Sequence, residues 1–204
     1  MKIELHVGDI PPGLNFGDSV AVDTETMGLN PHRDRLCVVQ LSAGDEVCHL
    51  VHFPPGSSYE APNLKALMAD PAVTKIFHFA RFDVAILSKY LGVLCAPIYC
   101  TKVASKLVRT NTERHGLKDL VSNMVGAEVS KEQQQSDWGS ATLTEDQQHY
   151  AAQDVLYLHR LRDRLDELLD REGRREMAEA CFRFLPTRGL LDLDGWEDPD
   201  ILSH

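Results

Sequence analysis

The sequence contains no apolar run that approaches the roughly 18 residues needed for a membrane-spanning helix. It also has no basic N-terminal region followed by an apolar stretch, which a signal peptide would show. Instead, Ile3, Leu5 and Val7 alternate with polar residues, and this alternation predicts a β-strand. These absences argue against a membrane protein and favour a cytoplasmic location.

Paired-cysteine motifs are absent as well. The five cysteines form no CxxC pair and show no spacing typical of a zinc site. An odd number of cysteines, spread over predicted strands and helices, is typical of reduced and buried thiols. We therefore expect free cysteines.

Positive charge is scarce, because 21 lysines and arginines face 31 aspartates and glutamates, for a net charge of −10 at pH 7. This balance argues against a general grip on long nucleic acid, which needs clustered basic residues. Residues 101–118 are an exception, with five basic residues and one acid, a net charge of +4. Such a basic strip suits a short polyanion, although a solvated helix face is the more common explanation.

Short apolar runs and helical patterns alternate along the chain, which predicts an α/β protein with a mixed central β-sheet in one domain. The predicted strands are 19–22, 36–41, 46–52, 74–79 and 98–100. The predicted helices are 63–70, 82–91, 102–108, 117–124, a long helix from an N-cap at Thr144 to about 171, and a last helix to about 184. The domain would then span residues 1–185, with a C-terminal tail at 186–204.

Two carboxylates, Asp23 and Glu25, stand two residues apart at the end of the first buried strand. The strand period of two places both side chains on one face, where they repel each other unless a cation lies between them. Hard oxygen ligands of this kind select Mg²⁺ or Mn²⁺. Taken alone the pair is a weak signal, since such pairs are commonly just solvated.

Two further motifs carry acidic residues. Asp83 lies at the start of a helix among apolar residues, where an ordinary helix-start acid is the simpler explanation. Tyr150 and Asp154 are four residues apart and share one face of the long helix. A tyrosine in that position can orient a metal-bound water, although a surface pair would look the same.

The order of these motifs, D-x-E at a strand end, an aspartate at a helix start and Y-x-x-x-D on a late helix, resembles the DEDDy 3′–5′ exonucleases. The stretch QSDWGSATLTEDQQHYAAQDVLYL is similar to ribonuclease D, and the resemblance covers residues 18–172. The stretches AVDTETMGLNPHRDRLCVVQL, TKVASKLVRTNTERHGLK and CFRFLPTRGLLDLDGW resemble the short bacterial nanoRNase C group, nearly from end to end.

This resemblance implies an RNase H-like fold and a metal-dependent exonuclease. It implies two divalent ions, Mg²⁺ or Mn²⁺, and a tyrosine that orients the attacking water. The implied metal ligands are Asp23, Glu25, Asp83 and Asp154, with Tyr150 as the fifth catalytic residue. The implied substrates are short RNAs, notably diribonucleotides such as pGpG, cleaved to nucleoside 5′-monophosphates by a homo-octameric ring.

Several residues are candidates for substrate binding. In relatives, the backbone at Thr24 contacts the terminal nucleotide and the leucine matching Leu29 wedges between bases, although Leu29 could equally be a core residue. His78 stands near the site in the sequence, where a structural role is the more common one. The candidates that would read the 5′ phosphate are Arg109, Arg114, His115 and Lys118.

The apolar residues of the tail predict a contact between subunits, with a tail folded back on its own domain as the alternative. They are Leu190, Leu191, Leu193 and Trp196. Two other functions stay open: a broader exonuclease that acts on structured RNA 3′ ends or DNA, and a catalytically silent module that binds RNA.

Overall fold

A six-stranded mixed sheet forms the centre of the molecule, in the order β1-β4-β3-β2-β5-β6. The computed structural model describes residues 1–129, 133 and 135–203. The strands are β1 (Lys2–Val7), β2 (Ser19–Thr26), β3 (Leu36–Ser42), β4 (Val47–His52), β5 (Thr74–Phe77) and β6 (Ile98–Cys100). The predicted mixed α/β sheet is therefore confirmed.

The strand pairings explain why β2 can carry a site. β2, β3 and β4 are antiparallel neighbours, whereas β1 pairs parallel to β4, and β5 lies parallel to both β2 and β6. All seven residues of β3 are buried, and the first four of β2 are as well. β5 pairs with Ser19–Ala21 of β2, and β3 pairs with β2 from Ala21 to Thr26, so β3 holds the C-terminal end of β2.

Helices cover the sheet. They are α1 (Pro62–Ala69), α2 (Ala80–Leu91), α3 (Thr101–Val108), α4 (Leu117–Leu120), α5 (Glu145–Leu156), α6 (Leu158–Arg171) and α7 (Arg175–Leu193). A π-helical turn, Val121–Val125, follows α4 directly, where one helix was predicted over 117–124. None of the helices formed by the described residues has the length and apolar character to cross a membrane.

The prediction of one long helix from 144 to 171 was wrong. A turn at Tyr157 (φ −105°, ψ −2°) separates α5 from α6. The two halves pack against different partners, since α5 lies on β2, β3 and β4 while α6 contacts α3 and α7.

The predicted end of the last helix near 184 was also wrong, because α7 continues through Pro186 to Leu193. A proline inside a helix removes one backbone donor and usually ends the helix. Here α7 packs against α2 so closely that a Cβ at Gly189 would lie 3.1 Å from the amide nitrogen of Ala85. This packing, which sequence periodicity does not reveal, holds residues 186–193 in the helix.

Candidate active site

The three motifs of the sequence meet at the C-terminal end of β2. Asp23 and Glu25 extend from β2, and Asp154 reaches them from α5. One carboxylate oxygen of each of these residues lies within 4.8 Å of the others. Residues far apart in the chain thus form one carboxylate cluster.

Asp83 joins this cluster from the first turn of α2 and is only 5% exposed. The hydroxyl of Thr24 donates a hydrogen bond of 2.6 Å to its Oδ1. Burial raises the pKa of Asp83 to about 7, and the hydrogen bond from Thr24 opposes that rise. Asp83 is therefore a buried acid that a residue of β2 holds by a hydrogen bond. It is more than an ordinary acid at the start of a helix. The side chain of Thr24 is occupied in holding Asp83.

The cluster is electrostatically unfavourable without a cation. Burial raises the pKa of Asp23 well above its usual range, and the nearby carboxylates of Asp83, Asp154 and Glu25 raise it further. The pKa of Glu25 is also raised well above its usual range, by burial and by the carboxylates of Asp154 and Asp83. Burial and the charge of Asp83 raise the pKa of Asp154 to about 7.

These residues fit divalent cations. Each offers hard carboxylate oxygens, the ligands that Mg²⁺ and Mn²⁺ prefer, and a bound cation would relieve the mutual repulsion that raises their pKa values. The four residues that could hold the metal are Asp23, Glu25, Asp83 and Asp154.

Tyr150 stands one turn before Asp154 on α5 and is 9% exposed. Burial raises the pKa of Tyr150 above the usual range, and the nearby charges of Asp154 and Glu25 raise it further, so the phenol stays protonated at neutral pH. The Tyr150 ring also contacts the indole of Trp138, with ring centroids 6.0 Å apart. The tyrosine is thus fixed beside the carboxylates with its hydroxyl directed toward them.

The start of α5 is fixed by a capping box. Gln147 Nα donates to Thr144 Oγ1 at 3.2 Å, and the Thr144 amide donates to Gln147 Oε1 at 2.9 Å. The Gln147 side-chain amide also donates to Ser136 Oγ at 2.7 Å and to the Asp137 carbonyl at 3.0 Å. The Ser-Asp-Trp stretch is therefore tied to the helix that carries Tyr150.

Two adjoining cavities, of about 370 and 810 Å³, open at the carboxylate cluster. Leu29 lines both and is 86% exposed, which rules out the core role. Phe79 lines both as well and is 48% exposed, at a backbone φ of 71° that side-chain-bearing residues rarely adopt. It lies between β5 and α2, although the sequence placed it inside a strand. Lys102 Nζ lies 3.9 Å from the centre of its ring.

The sequence did not single out Phe79 or Lys102 as site residues. The available signal for Lys102 was its place in the basic strip, directly after β6. For Phe79, the strand-to-helix junction just before Asp83 was the only hint, because aromatic residues in such runs usually belong to the core. Exposure at a strained backbone position is visible only in three dimensions.

The basic candidates separate in the structure. Lys118 lines the smaller cavity. Arg109 Nη1 donates to the Arg114 carbonyl at 2.9 Å, and Arg114 itself is exposed. His115 is 6% exposed, with Nδ1 2.8 Å from Ser105 Oγ, so its imidazole is a buried structural group. Among the described residues that line the two cavities, Arg109, Arg114 and His115 do not occur.

His78 lines both cavities but is held by the fold. Its Nδ1 lies 2.9 Å from Thr101 Oγ1, whose hydroxyl donates to the Phe77 carbonyl at 3.1 Å. Burial, with the nearby charge of Lys102, lowers the pKa of His78 to about 3. His78 is therefore a neutral group in the cavity wall at neutral pH.

The mixed sheet defines an RNase H-like fold. Two acids of β2 and acids from α2 and α5 form a carboxylate cluster on it that could hold a metal ion. Residues 12–170 match the sequence model of the 3′–5′ exonuclease family, and the chain belongs to that family. The predicted resemblance to this class is confirmed.

The sequence relatives are ribonucleases D. That of Gluconacetobacter diazotrophicus is 39% identical over 155 residues, which cover 76% of this chain and 39% of that protein. That of Acidiphilium cryptum is 37% identical over the same length. The chain spans about two fifths of the length of these curated relatives.

Solved structures include a full-length match. Brucella melitensis NrnC bound to pGG superposes with a TM-score of 0.96 at 52% identity, covering 100% of this chain and 99% of that chain. The same protein with bound Mg²⁺ gives a TM-score of 0.95 at 51% identity, covering 100% of both chains. Escherichia coli RNase D gives 0.74 at 26% identity, covering 89% of this chain and 48% of that chain.

Proposed function

We propose that this protein is a cytoplasmic, metal-dependent 3′–5′ exoribonuclease that hydrolyses very short oligoribonucleotides, especially diribonucleotides such as pGpG, to nucleoside 5′-monophosphates. The observation that carries the proposal is the cluster of Asp23, Glu25, Asp83 and Asp154 beside Tyr150 in an exonuclease fold. A silent RNA-binding module would be expected to have lost at least one of these groups. The five free cysteines are in keeping with a reducing compartment.

The four carboxylates would hold two divalent ions, which when bound lower the pKa of water and stabilise the charge on the leaving oxygen. The chain's own residues prepare the rest. Tyr150 would orient the attacking water through its hydroxyl, which shares a cavity wall with Asp154. Thr24 would keep Asp83 in place through its 2.6 Å hydrogen bond. No side chain has to act as a nucleophile.

The walls of the cavities suit a nucleotide. Leu29 and Phe79 present exposed apolar and aromatic surfaces next to the carboxylates, on which bases can stack or wedge. Lys102 and Lys118 supply positive charge to the smaller cavity, where a phosphate needs it. The rest of the chain is strongly acidic, which disfavours long nucleic acid.

Preference for very short substrates rests on the full-length similarity to NrnC, whose structure was solved with pGG. The test is a length series of 5′-labelled RNAs of two, five and twenty nucleotides, with DNA of the same lengths, on wild type and on Asp83→Ala. We expect the dinucleotide to be cleaved fastest and Asp83→Ala to be inactive on every substrate. Equal rates on all lengths would contradict the short-substrate preference. Full activity of Asp83→Ala would contradict the site itself.

A broader ribonuclease D-like activity on structured RNA 3′ ends or DNA is the second candidate, and the sequence similarity to ribonucleases D favours it. It uses the same site, so the length series separates the two. Efficient cleavage of the twenty-nucleotide RNA or of DNA would support this alternative.

Recognition of the 5′ phosphate is assigned to Lys102 and Lys118 for a single chain, with Arg114 as a candidate that acts on a neighbouring subunit. Arg114 is exposed and its carbonyl is held by Arg109, so its guanidinium is available to a partner. We propose to compare cleavage of pGpG with that of unphosphorylated GpG for Lys102→Ala, Lys118→Ala and Arg114→Ala. A preference for pGpG that survives in all three variants would refute the assignment.

Self-association into a homo-octameric ring remains part of the proposal, with the segment from 186 onward as the contact. Several apolar side chains there are exposed: Leu190 (43%), Trp196 (52%), Ile201 (45%) and Leu202 (65%). Because α7 extends to Leu193, the informative truncation ends at Leu193 and leaves that helix whole. Light scattering that gives the same number of subunits for the truncated chain would refute a contact made by residues 194–204.

A further inference from the structure

A second group of metal-ligating side chains lies at the edge of the sheet, on β1 and β4. It consists of Glu4, His6 and His49, whose ligand atoms all lie within 4.8 Å of one another. His6 Nε2 is 3.0 Å from His49 Nδ1, and His49 Nδ1 is 3.4 Å from Glu4 Oε2. We call these three residues the edge cluster.

The strand register creates the edge cluster. Glu4 lies directly opposite His49 in the parallel pairing of β1 with β4. His6 follows Glu4 by two residues, so the strand period directs both to the same face. Both strands keep regular register here, which fixes the three Cβ positions relative to one another.

The edge cluster is separate from the carboxylate cluster. In the antiparallel ladder Asp23 is opposite Gln40, and Gln40 is opposite Leu50, so these three side chains share one face of the sheet. His49 immediately precedes Leu50 and therefore points to the other face. The edge cluster also sits two strands away from β2 in the sheet order.

We propose that the edge cluster is a transition-metal site that binds Zn²⁺ through His6 Nε2, His49 Nδ1 and the carboxylate of Glu4. Two imidazoles and one carboxylate form a ligand set that zinc accepts, with water in the fourth position. Carboxylate-only sites suit Mg²⁺, whereas imidazole nitrogen selects zinc and its neighbours in the transition series. The two clusters would therefore differ in the metal they prefer.

The distances support this assignment. Zinc–nitrogen bonds of about 2.0–2.1 Å in a tetrahedron separate two ligand atoms by roughly 3.3–3.4 Å. The His49 to Glu4 separation already has that value, and the two imidazole nitrogens need to part by only a few tenths of an ångström.

The surroundings of the ligands point the same way. His49 is 9% exposed and packs edge-on against Phe16, with ring centroids 5.7 Å apart, so its ring is fixed. Lys2 binds the other oxygen, Oε1, of Glu4 at 2.5 Å and leaves Oε2 facing His49.

The role that follows is structural. β1 is an edge strand that pairs only with β4 among the described strands. A metal held by two residues of β1 and one of β4 would fasten this edge strand to the sheet. Zinc should therefore slow hydrogen exchange in residues 2–7, a region remote from the carboxylate cluster.

The test uses the untagged full chain in excess Mg²⁺, which occupies the carboxylate cluster. Zn²⁺ bound per chain is measured by equilibrium dialysis for wild type, His6→Gln, Glu4→Gln and the control His149→Gln, which removes an exposed histidine of α5. Crystals soaked in Zn²⁺ and measured at the zinc absorption edge locate the ion directly. Hydrogen exchange of β1 with and without Zn²⁺ completes the test.

We expect wild type and His149→Gln to bind one more Zn²⁺ per chain than His6→Gln, with anomalous density between His6 and His49. We also expect zinc-dependent protection of residues 2–7 in wild type only, and unchanged Mg²⁺-supported nuclease activity in His6→Gln. An equal zinc content in all variants, or anomalous density at the carboxylates alone, would overturn the proposal and leave a hydrogen-bonded histidine pair. If His6→Gln fails to fold, Glu4→Gln and the wild-type anomalous map still decide.

Discussion

Replacing Thr24 with valine removes the side-chain hydrogen bond that Thr24 donates to Asp83 in the carboxylate cluster. Valine keeps the volume and branching of threonine but removes the hydroxyl that donates to Asp83 Oδ1 at 2.6 Å. Both residues are nearly buried, at 8% and 5% exposure, so water cannot readily replace the lost donor. The perturbation therefore acts on the ionisation of Asp83.

The magnitude follows from the chemistry of that bond. A hydrogen bond to a charged group contributes about 1.5–3 kcal/mol, and each pKa unit corresponds to about 1.4 kcal/mol. Since the bond stabilises the ionised carboxylate, its loss should raise the pKa of Asp83 from about 7 by about one to two units. At pH 7 the ionised fraction would fall from about a half to about 1–10%. At limiting metal, activity should then fall by about 5- to 50-fold.

The assay is the pH–rate profile for hydrolysis of a diribonucleotide at limiting Mg²⁺. We expect the acid limb of Thr24→Val to move to higher pH by one to two units, while Thr24→Ser, which keeps the hydroxyl, stays near wild type. At saturating Mg²⁺ the profiles should converge, because bound cations favour the ionised carboxylate. Superimposed acid limbs for folded Thr24→Val and wild type at limiting Mg²⁺ would refute the reasoning.

Two further predictions concern stability. Because the folded-state pKa values of Asp83 and Asp154 are raised to about 7, their contribution to stability is fully present below about pH 4 and lost as pH rises through 7. The metal-free protein should therefore melt at a lower temperature at pH 8 than at pH 5, and Mg²⁺ should raise the melting temperature most at pH 8. Asp154→Asn should flatten the pH dependence of the melting temperature. A metal-free melting temperature that is independent of pH would contradict the prediction. Asp192 is 5% exposed and pairs at 2.7 Å with the buried Arg188, so Asp192→Ala should cost about 3–5 kcal/mol in urea denaturation. Asp194→Ala, which changes an exposed aspartate, is the control. Equal decreases in the free energy of unfolding for both variants would contradict the prediction.

Strand and helix identities were largely readable from the sequence, because they depend on local periodicity and capping. The predicted N-cap at Thr144 is an example, since its hydrogen bond joins residues three apart. The points at which helices end or continue could not be predicted from the sequence. Tyr157 interrupts a pattern that is helical on both sides, and Pro186 stands inside a helix that its own sequence disfavours. In both places contacts with distant elements outweigh local preference.

The candidate site divides in the same way. The sequence by itself determined which carboxylates to consider, since Asp23, Glu25, Asp83 and Asp154 stand in a characteristic order within an exonuclease pattern. It also placed Tyr150 and Asp154 on one face of a helix, because that relation depends on spacing alone.

Only the tertiary structure decided which side chains lie together and which are exposed to solvent. In the structure His115 is buried away from the cavities, whereas Leu29 and Phe79 are exposed beside the carboxylates. Thr24 donates a hydrogen bond to Asp83, 59 residues further along the chain. It also paired Glu4 with His49 through strand register. The physical reason is that burial, charge repulsion and metal coordination depend on distances through space, and separation along the chain does not set those distances.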